Sequence, residues 1–144
     1  MIRIPKLVAH ASIIGAAICL FAASATAFDL AGAWITNTEA CDQVFVTKGG
    51  RTSFRKDSDM HGSGFIADGK RLRGRTASCT VTKTKQDGDT INMIADCASD
   101  IMLHTVQFSL KVLDDNQVTR IFPGVEGMEL TFHRCPTSSH PGKQ

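Results

Sequence analysis

The sequence predicts an all-β domain, a small antiparallel up-and-down barrel of about eight to ten short strands carrying two disulfides. Three observations predict it. Beyond residue 27 no long stretch repeats its apolar residues at helical spacing; short runs that alternate apolar with polar residues recur instead. Clusters of Gly, Asp, Asn and Ser separate these runs at turn-like intervals. Four cysteines remain in the part of the chain that follows a leader-like segment, an even number in a small domain of disulfide-permissive context. A meander of this kind must hide two sheet edges, and closure into a barrel hides both. A β-sandwich is the alternative architecture.

The chain has 144 residues, 42% hydrophobic and 21% charged, within the globular range and unlike collagen, low-complexity or polytopic membrane sequences. Residues 1–27 read as a cleaved secretory signal. Arg3 and Lys6 precede a segment, Leu7 to Ala27, without Asp, Glu, Lys or Arg, and Ser12 to Ala23 form its apolar centre. Ala25-Thr26-Ala27 supplies the small-x-small site that puts cleavage before Phe28. An uncleaved anchor is the competing reading, since residues 7–27 are nearly long enough to cross a bilayer. The Ala and Gly content makes the segment only mildly hydrophobic, and the Ala-x-Ala ending favours cleavage. Lipidation at Cys19 is disfavoured by the bulky Ile18 before it. Residues 28–135 form the single domain, with fourteen basic and fourteen acidic side chains after residue 27. The tail from Pro136 to Gln144 is polar, contains two prolines and is predicted disordered.

Strands are expected near 31–36, 43–47, 51–55, 62–66, 70–75, 77–85, 90–97, 104–113, 117–122 and 128–134, with a single helical turn at Asp100 to Met102. Lys48-Gly49-Gly50, Asp68-Gly69 and Asp114-Asp115-Asn116 provide turns. Val106, Phe108, Leu110 and Val112 alternate with Gln107, Ser109 and Lys111; Met128, Leu130 and Phe132 alternate with Glu129, Thr131 and His133. The hairpin around Gln86-Asp87-Gly88-Asp89 bears on the cysteines. A three-residue loop at 87–89 sets Gln86 opposite Thr90, Lys85 opposite Ile91, Lys83 opposite Met93, Val81 opposite Ala95 and Cys79 opposite Cys97. Directly opposed side chains share a face and lie within disulfide reach, whereas a two-residue loop reverses the parity. Cys41–Cys135 follows by elimination. Zinc is the weaker use of these cysteines, because structural zinc sites favour close Cys-x-x-Cys pairs.

Phe28-Asp29-Leu30-Ala31-Gly32-Ala33-Trp34 resembles the Gly-x-Trp opening of lipocalin-like barrels. The resemblance implies that Trp34 closes the barrel floor and that a basic residue of the last strand, by position Arg134, packs over it. It covers seven residues and the meander pattern. The chain departs from that pattern in lacking Tyr and the second Thr-Asp-Tyr motif, and in being short.

Charge is segregated: residues 48–85 contain ten basic and three acidic side chains, residues 86–135 three basic and eight acidic. Lys70, Arg71, Arg73 and Arg75 form the densest basic surface, suited to an anionic or protein partner. Without interleaved aromatics the patch does not suit nucleic-acid bases. Asp57-Ser58-Asp59-Met60-His61 mixes ligands for hard and soft metals and reads as a surface loop rather than a metal site. No nucleophile-elbow, His-Glu-x-x-His or phosphate-loop motif occurs. The expected function is therefore that of an exported, periplasmic or secreted, non-enzymatic binding protein without a cofactor or metal. Trp34, Phe65, Phe108, Leu110, Met128, Leu130 and Phe132 would either line a cavity for a small apolar or amphipathic ligand or fill the barrel interior themselves. An interaction or enzyme-inhibitor module acting through the basic surface is the alternative. No membrane contact is expected after cleavage.

Overall fold

The computed structural model describes residues 27–136; residues 1–26, with Cys19 and most of the expected signal, and residues 137–144 of the expected disordered tail lie outside them. Ten strands follow in order: β1 (Gly32–Ile35), β2 (Phe45–Lys48), β3 (Arg51–Phe54), β4 (Gly64–Asp68), β5 (Arg71–Arg73), β6 (Ala77–Asp87), β7 (Thr90–Ser99), β8 (Leu103–Asp114), β9 (Gln117–Ile121) and β10 (Glu129–Arg134). Eight of them close an antiparallel barrel in the order β1-β10-β9-β8-β7-β6-β5-β4. Each neighbouring pair except β1–β4 and β1–β10 is joined by a short connection, so the barrel is an up-and-down meander sealed by β1. Trp34 of β1 pairs with Arg134 on one side and Phe65 on the other.

β2 and β3 stand outside the barrel as a separate hairpin within the β1–β4 connection. Here the expected strand at 43–47 is corrected. Cys41–Val44 is a helical turn, α1, preceded by a 3-10 turn at Thr38–Ala40, and β2 begins only at Phe45. The Asn37 side chain accepts from the Glu39 backbone N–H, capping the first turn. Ala40 and Val44, four apart and therefore on one helical face, are both buried. With Phe45 they cover the outer side of β1 and β4, where Ala33, Ile35 and Ile66 form a second small core. β1 is thus buried on both faces, which suits a strand reading Gly-Ala-Trp-Ile with no polar side chain. Close approach also requires Gly64: a Cβ there would stand 2.6 Å from the Trp34 carbonyl oxygen and 2.8 Å from the Phe45 ring.

Both disulfides join the expected partners, Cys41–Cys135 and Cys79–Cys97. Cys41 lies on α1 rather than on the first strand, so the long bridge ties the excursion after β1 to the end of β10. Cys79 faces Cys97 and Val81 faces Ala95 as expected, but the loop differs. Asp87 pairs with Thr90, so only Gly88 and Asp89 form the turn, with Gly88 at φ +60°. Two turn residues alone would have put the cysteines on opposite faces. A bulge restores the parity: the ladder shifts between Val81 and Lys83, leaving Thr82 unpaired. Lys83 therefore faces Ile94 and Lys85 faces Asn92, not Met93 and Ile91. The bulge keeps both lysines off the interior while the cysteines point into it.

Deleting Thr82 tests this account. Removing the unpaired residue makes Val81–Lys83 continuous opposite Ala95–Ile94, so the Cys79–Cys97 bridge is expected to persist, with a stability change below about 1 kcal/mol. Non-reducing peptide mapping checks it, and free thiols at Cys79 and Cys97 would contradict the bulge as the parity device.

Asp100 to Met102 is not helical, contrary to the sequence expectation. The Ser99 N–H donates to the Met102 carbonyl at 3.0 Å, and Ala98 pairs with Leu103, so the chain reverses in a tight hairpin. Long antiparallel ladders on both sides dictate this geometry, which overrides the weak local pattern.

Candidate functional site

Strand registers define two ends of the barrel. At one end lie Gly32, Asp68, Arg71, Asp87, Thr90, Asp114, Gln117 and Arg134; at the other lie Ile35, Gly64, Arg73, Ala77, Ser99, Leu103, Ile121 and Glu129.

The first end is closed. Trp34 is fully buried, with its ring stacked on Phe65 at 6.1 Å and tilted against Phe28 at 6.2 Å. Its indole N–H donates to the Leu30 carbonyl at 2.8 Å, satisfying the one polar atom of the ring. The Arg134 guanidinium sits 4.3 Å from the centre of the Trp34 ring. It donates to the carbonyls of Asp29, Ala31 and Asp115, drawing the N-terminal segment and the β8–β9 turn over the floor. Trp34 and Arg134 thus stand in the arrangement that the Gly-x-Trp resemblance implied for them.

The second end is open above a cavity of about 330 Å³. Its wall is apolar: Phe65, Leu72, Met93, Phe108, Leu110, Leu130 and Phe132 contribute to it, with the Cys79 half of the hairpin bridge and the small residues Gly64, Gly74 and Ala77. Phe65 meets Phe132 edge to face at 5.1 Å. Of the seven side chains expected to surround a ligand, Phe65, Phe108, Leu110, Leu130 and Phe132 line this space. Trp34 lies beneath Phe65, outside the lining. Met128 lies in the β9–β10 connection, 53% exposed, because β10 begins one residue later and the alternation stops there. Several other exposed apolar side chains gather at the same open end, among them Ile101, Met102 and Leu103 at the β7–β8 turn and Val125 between β9 and β10.

Sequence reasoning missed the apolar lining residues Leu72 and Met93 and one charged one, Arg120. It belongs to β9, in phase with the inward Val118, and pairs across to Leu110 and Leu130. Its guanidinium is held between two aromatic rings, 4.9 Å from the centre of Phe108 and 4.6 Å from that of Phe122. Among the described residues it makes no ion pair and no hydrogen bond. Burial lowers its pKa from the ordinary guanidinium value, while the group stays cationic at neutral pH. The signal was present as the two-residue spacing Val118, Arg120, Phe122, which puts one charge on an otherwise apolar face.

The basic stretch is partly consumed by the fold. The Arg73 guanidinium donates to the Thr52 carbonyl at 2.9 Å, fastening the external hairpin to β5. That of Arg75 donates to the buried Ser58 hydroxyl at 3.2 Å and pairs with Asp59 at 3.2 Å. Lys70 and Arg71 remain exposed. The segment Asp57 to His61, weighed above for metals, contains the 3-10 turn Ser58–His61, which Arg75 holds through Ser58 and Asp59. Among the described residues no three of His, Cys, Asp and Glu converge on one point.

Among the described residues no helix is long and apolar enough to cross a membrane. Two disulfides are the chemistry of an oxidising compartment. Comparison of the chain with known protein families, with curated proteins and with solved structures gave no match.

Proposed function

We propose that the chain is an exported, non-enzymatic binding protein that holds a small, largely apolar ligand inside a lipocalin-like barrel. The observation that carries this reading is the apolar cavity: one end of the barrel is plugged by Trp34 and Arg134, and the other opens above aromatic and aliphatic walls. Its volume of about 330 Å³ falls at the lower end of the usual small-molecule range. The leader-like N-terminus and the paired cysteines support export.

Titration with the neutral fluorophore phenylnaphthylamine tests it. The protein is expected to give a saturable rise in emission, and Ala77→Phe, which places a ring in the cavity, is expected to weaken binding by at least about tenfold. Ile101→Ser, on the outer turn, serves as the control and leaves binding unchanged. Absence of saturable emission, or equal affinity for the Ala77→Phe protein, would reject the cavity as a binding site.

A further inference from the structure

The geometry points to a ligand with one carboxylate headgroup, bound tail-first: the headgroup rests on Arg120 at the open end and the apolar tail points down toward Phe65 and Trp34. This rests on the cavity reading above and specifies what the cavity takes and which way round.

Three observations lead to it. First, Arg120 is the cationic side chain lining the cavity, and its donors have no partner among the described residues. The guanidinium is partly buried, so it loses part of its hydration, and rings alone replace that loss only in part. A carboxylate supplies the missing acceptors through two parallel N–H···O bonds. Secondly, Phe108 and Phe122 flank the guanidinium at 4.9 and 4.6 Å. Both rings are apolar, so neither supplies the hydrogen-bond acceptor that the guanidinium donors lack among the described residues. Thirdly, the position of the charge fixes the direction. Arg120 stands one residue before the open end of β9 and pairs with the half-exposed Leu130. The opposite end is filled by Trp34, whose own cationic neighbour, Arg134, is already bonded to three carbonyl groups. A headgroup at the floor would displace packed rings and find no free donor there.

At the ~30 Å³ that a water-sized group occupies in a liquid, the cavity holds about eleven such groups, the scale of decanoate. Decanoate and decan-1-ol share a tail and differ at the headgroup, so calorimetric titration of both isolates the charge. The wild-type protein is expected to bind decanoate at least about tenfold more tightly than decanol. Arg120→Met is expected to abolish the preference, so that decanoate and decan-1-ol bind within about twofold of each other. Equal affinity of the wild-type protein for both compounds would overturn the headgroup assignment and leave the cavity reading intact. Binding of neither would reject the cavity reading itself.

Direction is read from Trp34, the single tryptophan of the chain, since bromine quenches indole fluorescence at short range. Decanoate brominated on its last carbon is expected to quench Trp34 strongly, and decanoate brominated beside the carboxylate only weakly. The reverse order would overturn the tail-first orientation. Both measurements use the wild-type protein, so they stand whether or not the Arg120→Met variant folds.

Discussion

Replacing Cys41 and Cys135 together by serine is expected to lower the unfolding free energy by about 4–5 kcal/mol. The two residues are 94 apart in sequence, so the bridge removes a large share of the conformational freedom of the unfolded chain. The folded side matters as well. β1 and β10 are paired at only two positions, Trp34 with Arg134 and Ile35 with His133, where the barrel closes. The bridge anchors that seam from outside, together with the Cys135 N–H that donates to the Ala33 carbonyl at 2.7 Å. Typical domain stabilities are about 5–15 kcal/mol, so this loss is a large share of the total. The matching change at Cys79 and Cys97, which span 18 residues, is expected to cost about 3 kcal/mol. Urea unfolding of both double variants checks the order. A smaller loss from the 41–135 pair would mean that the seam holds without its bridge.

Trp34→Ala is expected to cost about 3–5 kcal/mol, the range for truncating a buried aromatic side chain. Trp34 is fully buried and joins β1 to four surroundings at once: the Phe65 ring, the Phe28 ring, the Leu30 carbonyl and the Arg134 guanidinium. Truncation opens a void between the floor and the barrel cavity and leaves Arg134 without the indole beneath it. Hydrogen exchange should then rise at the amides of residues 28–31, which Arg134 and Trp34 pin to the floor, before it rises in the β6–β7–β8 ladder. A loss below about 1 kcal/mol would show that the floor does not depend on this ring.

Much of the fold was legible because the relevant signals are local. Alternation along β8 and β10 identified inward faces directly, and five of the seven side chains drawn from the interior pattern line one cavity. Cysteine parity on the 77–99 hairpin found the right pair, although the assumed three-residue loop was wrong; the bulge at Thr82 compensated for it. The basic run at 70–75 was visible as charge, but its use was not. Whether Arg73 and Arg75 face a partner or fasten a hairpin depends on what the β1–β4 excursion covers, and no pattern within the run itself records that.

Composition and periodicity by themselves determined the all-β class and the strand positions to within a few residues, because strand pleat and turn chemistry act over two to five neighbours; the Cys79–Cys97 pair also needed the bulge at Thr82, which no local pattern announced. Only the tertiary structure decided which eight of ten strands close the ring, that β2 and β3 fall outside it, and that Phe108 and Phe122, rather than an acidic partner among the described residues, stand against the inward Arg120. Those outcomes depend on contacts between segments far apart in the chain, such as β1 with β10 or Arg120 between Phe108 and Phe122, and spacing along the chain does not encode them.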